Sequence, residues 1–181
     1  MRTRTFAAAF ALLAAVLAGQ TVAAPAAHAG IPPTWQKYKN YNSNLCLNVE
    51  ELYQNYYPAF QDTCSSSISW RLNYITTNTN GTPIYTIENG GRGCLEYTGD
   101  IGTSSDARIY TCVASGSRTR QLWWLAGPNG KVTIRTVNKD MNGRHLCLEI
   151  EDSGTLRFDW AQLWTCSGQA GSFWNFQYRA T

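Results

Sequence analysis

Along most of the chain, apolar and polar residues alternate over short runs rich in β-branched and aromatic side chains. Tyr85-Thr86-Ile87-Glu88 and Val132-Thr133-Ile134-Arg135 are clear cases. Alternation with a period of two predicts strands that bury one face. The runs are cut by Asn-Gly, Gly-Gly and Pro-Asn-Gly breakers at 80–81, 90–91, 128–130 and 142–143, residue types that supply turn conformations. Beyond residue 29 no segment sustains a 3.6-residue apolar period over three turns. The pattern therefore predicts an all-β chain of short strands and tight turns.

The first 29 residues are patterned differently. Arg2 and Arg4 precede an apolar stretch from Phe6 to Leu17, and Ala27-His28-Ala29 is a small-x-small sequence before Gly30. This predicts a cleaved secretory signal peptide over 1–29, bacterial in appearance, and a secreted domain over 30–181. The stretch is too short and too alanine-rich for a spanning helix, and no other apolar run approaches the length needed, so no membrane span is expected.

The domain carries an internal repeat. Its six cysteines stand at 46, 64, 94, 112, 147 and 166, three pairs 18, 18 and 19 residues apart. The first of each pair is followed by leucine, in Cys46-Leu47-Asn48, Cys94-Leu95-Glu96 and Cys147-Leu148-Glu149. The second is preceded by threonine, in Thr63-Cys64, Thr111-Cys112 and Thr165-Cys166, and tryptophan follows at Trp70, Trp123-Trp124 and Trp174. Repeats of about fifty residues are expected over 34–77, 78–127 and 128–179, each with about four short strands. Three copies suit a closed three-lobed architecture better than a sandwich. Each lobe then needs one large apolar plug, and Trp70, Trp123 or Trp124, and Trp174 are the candidates.

These residues resemble the ricin-type β-trefoil lectin domain over nearly all of the chain beyond the leader. Gln121-Leu122-Trp123 matches the Gln-x-Trp that closes each repeat in that family, and Gln162-Leu163-Trp164-Thr165-Cys166 is similar to its Gln-Leu-Trp-x-Cys. Ile68-Ser69-Trp70 and Ser172-Phe173-Trp174 keep only the tryptophan. Six cysteines allow fifteen connectivities. Equal separation in three copies selects Cys46–Cys64, Cys94–Cys112 and Cys147–Cys166, and the resemblance implies the same pairing. Each link closes a loop of nearly twenty residues, worth roughly 3 kcal/mol in the chain-entropy model.

The resemblance also implies sugar sites. A pyranose offers one face of C–H groups and a rim of hydroxyls, met by an aromatic plate and a carboxylate or amide acceptor. In the family the acid lies two residues after the first cysteine and the plate two before the second. An asparagine and the motif's glutamine lie just before the closing tryptophan. Repeat three then offers Glu149 and Trp164, with Gly171 and Ser172 at the amide positions. Repeat two offers Glu96, Tyr110, Arg120 and Gln121. Repeat one offers Asn48, Asp62, Ser67 and Ile68, with an acid where the plate should be, and is expected to be inactive. Both acids in the other repeats are glutamate where the family usually has aspartate. His145, just before Cys147, is expected in an exposed turn. The aromatic run Tyr53, Tyr56, Tyr57 and Phe60 is expected in a loop, partly exposed as a surface for a ligand or protein partner.

Charge and composition narrow the function. The formal net charge of +3 falls to near neutral once Arg2 and Arg4 are set aside, and the 15 basic residues form no cluster. A nucleic-acid partner held through phosphates is therefore not expected. One histidine remains beyond the leader and the cysteines pair off, which leaves a Ser or Cys nucleophile short of a base and multi-histidine zinc without ligands. No metal and no cofactor are expected. Acidic residues that could serve a hydrolase are present but ungrouped. The expectation is a secreted, non-catalytic carbohydrate-binding module that recognises carbohydrate or glycoprotein. The alternative is a protein-binding trefoil acting as adaptor or targeting subunit beside another secreted chain.

Overall fold

The computed structural model describes residues 34–50, 56–113, 118–128 and 130–176. The leader expected over 1–29 and Tyr53 lie outside the described residues. Among the described residues twelve strands follow in three groups of four. The first group is β1 (Lys39–Asn40), β2 (Cys46–Val49), β3 (Tyr57–Asp62) and β4 (Trp70–Thr77). The second is β5 (Pro83–Asn89), β6 (Gly93–Tyr97), β7 (Ala107–Tyr110) and β8 (Trp123–Ala126). The third is β9 (Thr133–Lys139), β10 (His145–Ile150), β11 (Ala161–Thr165) and β12 (Trp174–Asn175). Among the described residues the only helical elements are single 3₁₀ turns, and no helix is long and apolar enough to cross a membrane.

All strand pairs are antiparallel, in the order β11-β10-β9-β8-β5-β6-β7-β3-β2-β1-β12, with β4 added beside β5. A bridge between Val132 and Trp174 brings the far end of this path back to the entrance of β9. The chain thus closes on itself as a β-trefoil, with one disulfide per repeat, Cys46–Cys64, Cys94–Cys112 and Cys147–Cys166.

The repeat is carried by one hydrogen bond made three times. Trp70, Trp123 and Trp174 are fully buried. Their indole N–H groups donate to the carbonyls of Leu47, Leu95 and Leu148 at 2.9, 3.0 and 3.0 Å. Each leucine directly follows the first cysteine of its repeat. The tryptophan therefore fills the core and also fixes the hairpin that starts at that cysteine. Trp124 is the half-buried neighbour, with the Arg135 guanidinium over its ring. Inner hairpin positions repeat as well: Leu47 faces Gln61, Leu95 faces Ile109 and Leu148 faces Leu163. Gln61 is the exception in that layer, a polar residue that is nonetheless fully buried.

Two expectations are corrected here. The Tyr56–Phe60 segment is not a loop. Tyr57 opens β3 and packs on the core, and Phe60 is buried against Phe158 and Trp160. The alternation of β3 turns Phe60 to the side it shares with Asn48, its partner on β2. His145 is not an exposed turn residue either. Asp140 caps the turn by accepting from the backbone of Asn142 and Arg144, so β10 already begins at His145. There the ring is half-buried, its Nδ1 lies 2.8 Å from the Thr136 carbonyl, and it stands edge-on to Trp124.

Replacing Trp174 with Phe keeps an aromatic plug but leaves the Leu148 carbonyl buried without its donor. An unmet buried acceptor costs about 1–3 kcal/mol. The melting temperature is expected to fall by about 3–10 °C in a chain of this size, and equally for Trp70→Phe and Trp123→Phe. A thermal melt of the three variants checks both size and equivalence.

Candidate functional site

Each repeat presents one hairpin, β2–β3, β6–β7 or β10–β11, and register places the same positions side by side each time. The residue two after the first cysteine faces Phe60, Arg108 or Gln162: the pairs are Asn48↔Phe60, Glu96↔Arg108 and Glu149↔Gln162. The first cysteine faces the plate position, in Cys46↔Asp62, Cys94↔Tyr110 and Cys147↔Trp164. Residues two apart on a strand share a face. The acceptor position, the plate position and one more side chain therefore meet above every hairpin, and what occupies them decides whether the spot is open.

In repeat one the spot is filled. Asn48 accepts from the Ile68 N–H at 3.1 Å, and Phe60 lies beneath Phe158 and Trp160. Asp62 is bound by the Arg157 guanidinium, the Thr63 N–H and Ser66. Burial pushes its carboxyl upward, but those three partners outweigh burial and hold it below the usual carboxylate range. No plate is present.

In repeat two the protein occupies the spot with its own cations. Glu96 is fully buried. Its carboxylate accepts from Arg108 at 2.9 and 3.1 Å and from Arg118 at 2.7 and 3.3 Å. The Arg118 guanidinium sits 4.1 Å from the centre of the Tyr110 ring, where the apolar face of a sugar would lie, and Arg108 stands 5.3 Å from it. Gln121 is also internal. Its amide nitrogen donates to the Thr111 carbonyl at 2.9 Å and to Glu96 at 3.3 Å, while its oxygen accepts from the Val113 N–H at 3.1 Å. The structure thus commits Glu96 and Gln121, both expected at a sugar site, to a buried ion cluster, while the exposed ring of Tyr110, also expected there, is met by the two arginines. Both oxygens of the acid are taken.

Repeat three is different. Glu149, Trp164 and Gln162 line a cleft of about 300 Å³, with Asp152, Ser153 and Gln169 at its rim. Glu149 is 1% exposed, and among the described residues its Oε2 has no hydrogen-bond partner. Burial pushes the Glu149 carboxyl up to about 7; the hydrogen bond from Gln162 works against this, and the nearby negative charge of Asp152 adds to it. Trp164 is half-buried. The rim is set by a close approach, because a Cβ on Gly171 would stand 2.8 Å from the Ser153 Cα. A glycine at one expected amide position therefore brings the 3₁₀ turn Ala170–Ser172 against the cleft. Ser172, at the other, turns away to donate to the Gln169 carbonyl.

Gln162 was legible as a site residue, being two before Trp164 on one strand; the same offset finds Arg108 before Tyr110 and Phe60 before Asp62. Asp152, Ser153 and Gln169 come from loops whose path no local pattern announces. Among the described residues no cluster of three or more His, Cys, Asp or Glu is placed to hold a metal ion.

Comparison with known proteins agrees with the fold. The chain superposes on a designed threefold symmetric protein, ThreeFoil, with a TM-score of 0.62 and 16% identity over 78% of this chain and 96% of that one. Cytolethal distending toxin from Actinobacillus actinomycetemcomitans matches with a TM-score of 0.57 and 19% identity, over 83% and 96% of the two chains. A Polyporus squamosus lectin, solved with Neu5Acα2-6Galβ1-4GlcNAc, matches with a TM-score of 0.58 and 16% identity over 80% of this chain and 48% of its own. No curated protein sequence matches the chain. At these identities the structures share the fold. The profile of the ricin-type beta-trefoil lectin domain matches residues 82–181, which span the ion cluster of repeat two and the open cleft of repeat three, and the chain belongs to that family.

Proposed function

We propose that this chain is a secreted, non-catalytic glycan-binding module whose working site is the cleft of the third repeat. The observation that carries the reading is the unpartnered oxygen of buried Glu149 beside Trp164. An unmet buried acceptor is costly, and a sugar hydroxyl relieves that cost by donating to it. Trp164 supplies the plate, and the Gln162 and Gln169 amides can each both donate and accept. Membership of a lectin family and the glycan held by the similar lectin support the same reading. Three disulfides fit an oxidising, extracellular setting. Among the described residues the third repeat holds the open cleft for this mode of binding.

A second reading, an adaptor that docks another protein, draws on the likeness to the toxin chain and on exposed Leu156, Phe158 and Trp160. A broad glycan array separates the two. Defined sugar hits support the lectin. Capture of a secreted protein that no sugar competes away supports the adaptor.

For a glycan found on the array, Trp164→Ala and Glu149→Gln are each expected to weaken affinity about tenfold or more, roughly 1.4 kcal/mol. Tyr110→Ala, in the cation-filled second repeat, is expected to leave it unchanged. Asp62→Ala is unsuitable as a neutral control, because Asp62 holds Arg157 in the third repeat.

A pH effect follows from Glu149. The ionised form accepts two hydroxyls where the neutral acid accepts fewer, so binding draws on the carboxylate and releases a proton. With the free group titrating near 7, affinity is expected to rise from pH 5 to 8 and then level off. The slope approaches tenfold per unit below 7. Asp152 is the acidic neighbour, and Glu149→Gln is expected to flatten the profile. The sign for folding is opposite. A carboxyl raised in the folded state adds stability below its unfolded value near 4.5 and loses it as pH rises through 7. At pH 8 Glu149→Gln is therefore expected to melt no lower than the parent. Titration calorimetry and thermal melts over this range test both signs.

A further inference from the structure

The loop joining β10 to β11 is built more firmly than a connection requires. Asp152, Ser153 and Phe158 have φ of 52°, 53° and 71°, a region that side chains seldom enter and that is an outlier for an aromatic one. Ser153 is held by the Asn42 amide and the Gly171 N–H, and the stretch from Gly154 to Asp159 by Gln61 of β3. Its side-chain nitrogen donates to the Gly154 carbonyl at 3.0 Å, the Leu156 carbonyl at 2.9 Å and Asp159 at 3.2 Å. Its backbone N–H donates to the Asp159 carbonyl, and its carbonyl accepts from the Phe158 N–H. A Cβ on Gly154 would stand 2.2 Å from Asp159 Oδ2, so a side chain there displaces the Asp159 carboxylate.

The loop so held turns its apolar side chains outward. Leu156 is 71% exposed, Phe158 53% and Trp160 41%. They border a second cleft of about 460 Å³ that shares Asp152 with the Glu149 cleft. Its acidic groups are Glu151, Asp152 and Asp159. The Arg157 guanidinium is bound to Asp62 and stacked on Phe158. The surface therefore joins aromatic plates to hydroxyl acceptors and carries negative charge.

We propose that the third-repeat site continues past Asp152 onto the Leu156–Trp160 loop and takes a neutral oligosaccharide rather than a single terminal sugar. This rests on the reading of the Glu149 cleft as a sugar site. One residue lies on Trp164, and the next lies against Trp160 and Phe158. Ring faces of successive sugars need successive plates, and a rigid loop loses little entropy in providing one. The carboxylates accept from neutral hydroxyls and repel uronic or sialic acid carboxylates.

The test is calorimetry with galacto-, gluco- and xylo-oligosaccharides of one to four residues, and with oligogalacturonates of the same lengths. In the series that binds, the trimer is expected to bind at least tenfold more tightly than the monosaccharide, and oligogalacturonates at least tenfold more weakly than the neutral trimer. Trp160→Ala is expected to remove the gain with length while monosaccharide affinity stays within about twofold. Phe158→Ala, at a more exposed position, does the same and guards against a Trp160 variant that fails to fold. Trp164→Ala loses every length. Equal affinity for monomer and trimer, or a gain that survives both loop variants, overturns the extension while the Glu149 cleft stands. Failure of the cleft reads differently: no neutral series binds at any length, or Trp164→Ala binds as the parent does, and the extension falls with it.

Discussion

The indole N–H of a buried tryptophan, donated to the carbonyl after a cysteine, is the constraint from which the molecule is built. A tryptophan in the core brings a large apolar volume and a polar atom that must be satisfied. The carbonyl that satisfies it belongs to the strand that opens the hairpin, and the disulfide at the next residue back ties that strand to the far end of the same hairpin. Core filling, hairpin position and covalent closure are thereby fixed by neighbouring residues. The three copies match to about 0.1 Å in donor–acceptor distance, although the side chains above the hairpins share almost nothing.

That separation lets three equal scaffolds hold three unequal surfaces. The position facing the acceptor holds Phe60, Arg108 or Gln162. A phenylalanine seals its spot under other aromatics. An arginine neutralises the acid beside it, and a second arginine from the following loop covers the plate. A glutamine is short and neutral. It reaches the acid without neutralising it and leaves the plate uncovered. The difference between a closed patch and a cleft therefore lies in the size and charge of one side chain on the third strand of each repeat.

Much of this was legible in the sequence, for identifiable reasons. Cysteine spacing, the leucine that follows and the closing tryptophans are core and covalent features, and core features repeat because the fold demands them. Fixed offsets from the cysteines also gave the positions that face one another across each hairpin. Their occupancy was not legible. Nothing near Glu96 in sequence announces Arg118, 22 residues away. An aromatic-rich run between two cysteines reads as a loop with Phe60 at its surface, whereas tertiary pairing with β2 and β7 makes it a strand. The loop beyond Glu149 stayed hidden because its anchor, Gln61, lies in a different repeat, 98 residues from Asp159.

Gln61 also sets a limit on symmetry. The equivalent positions in the other repeats are Ile109 and Leu163, the residues a consensus of the three copies would choose. Making this chain an ideal trimer of one repeat would improve the inner layer and erase the amide that holds the loop of another repeat in place. The copies are therefore not interchangeable: one of them holds, at a core position, a polar side chain that supports another. The third repeat cannot be transplanted with its surface intact unless the first goes with it.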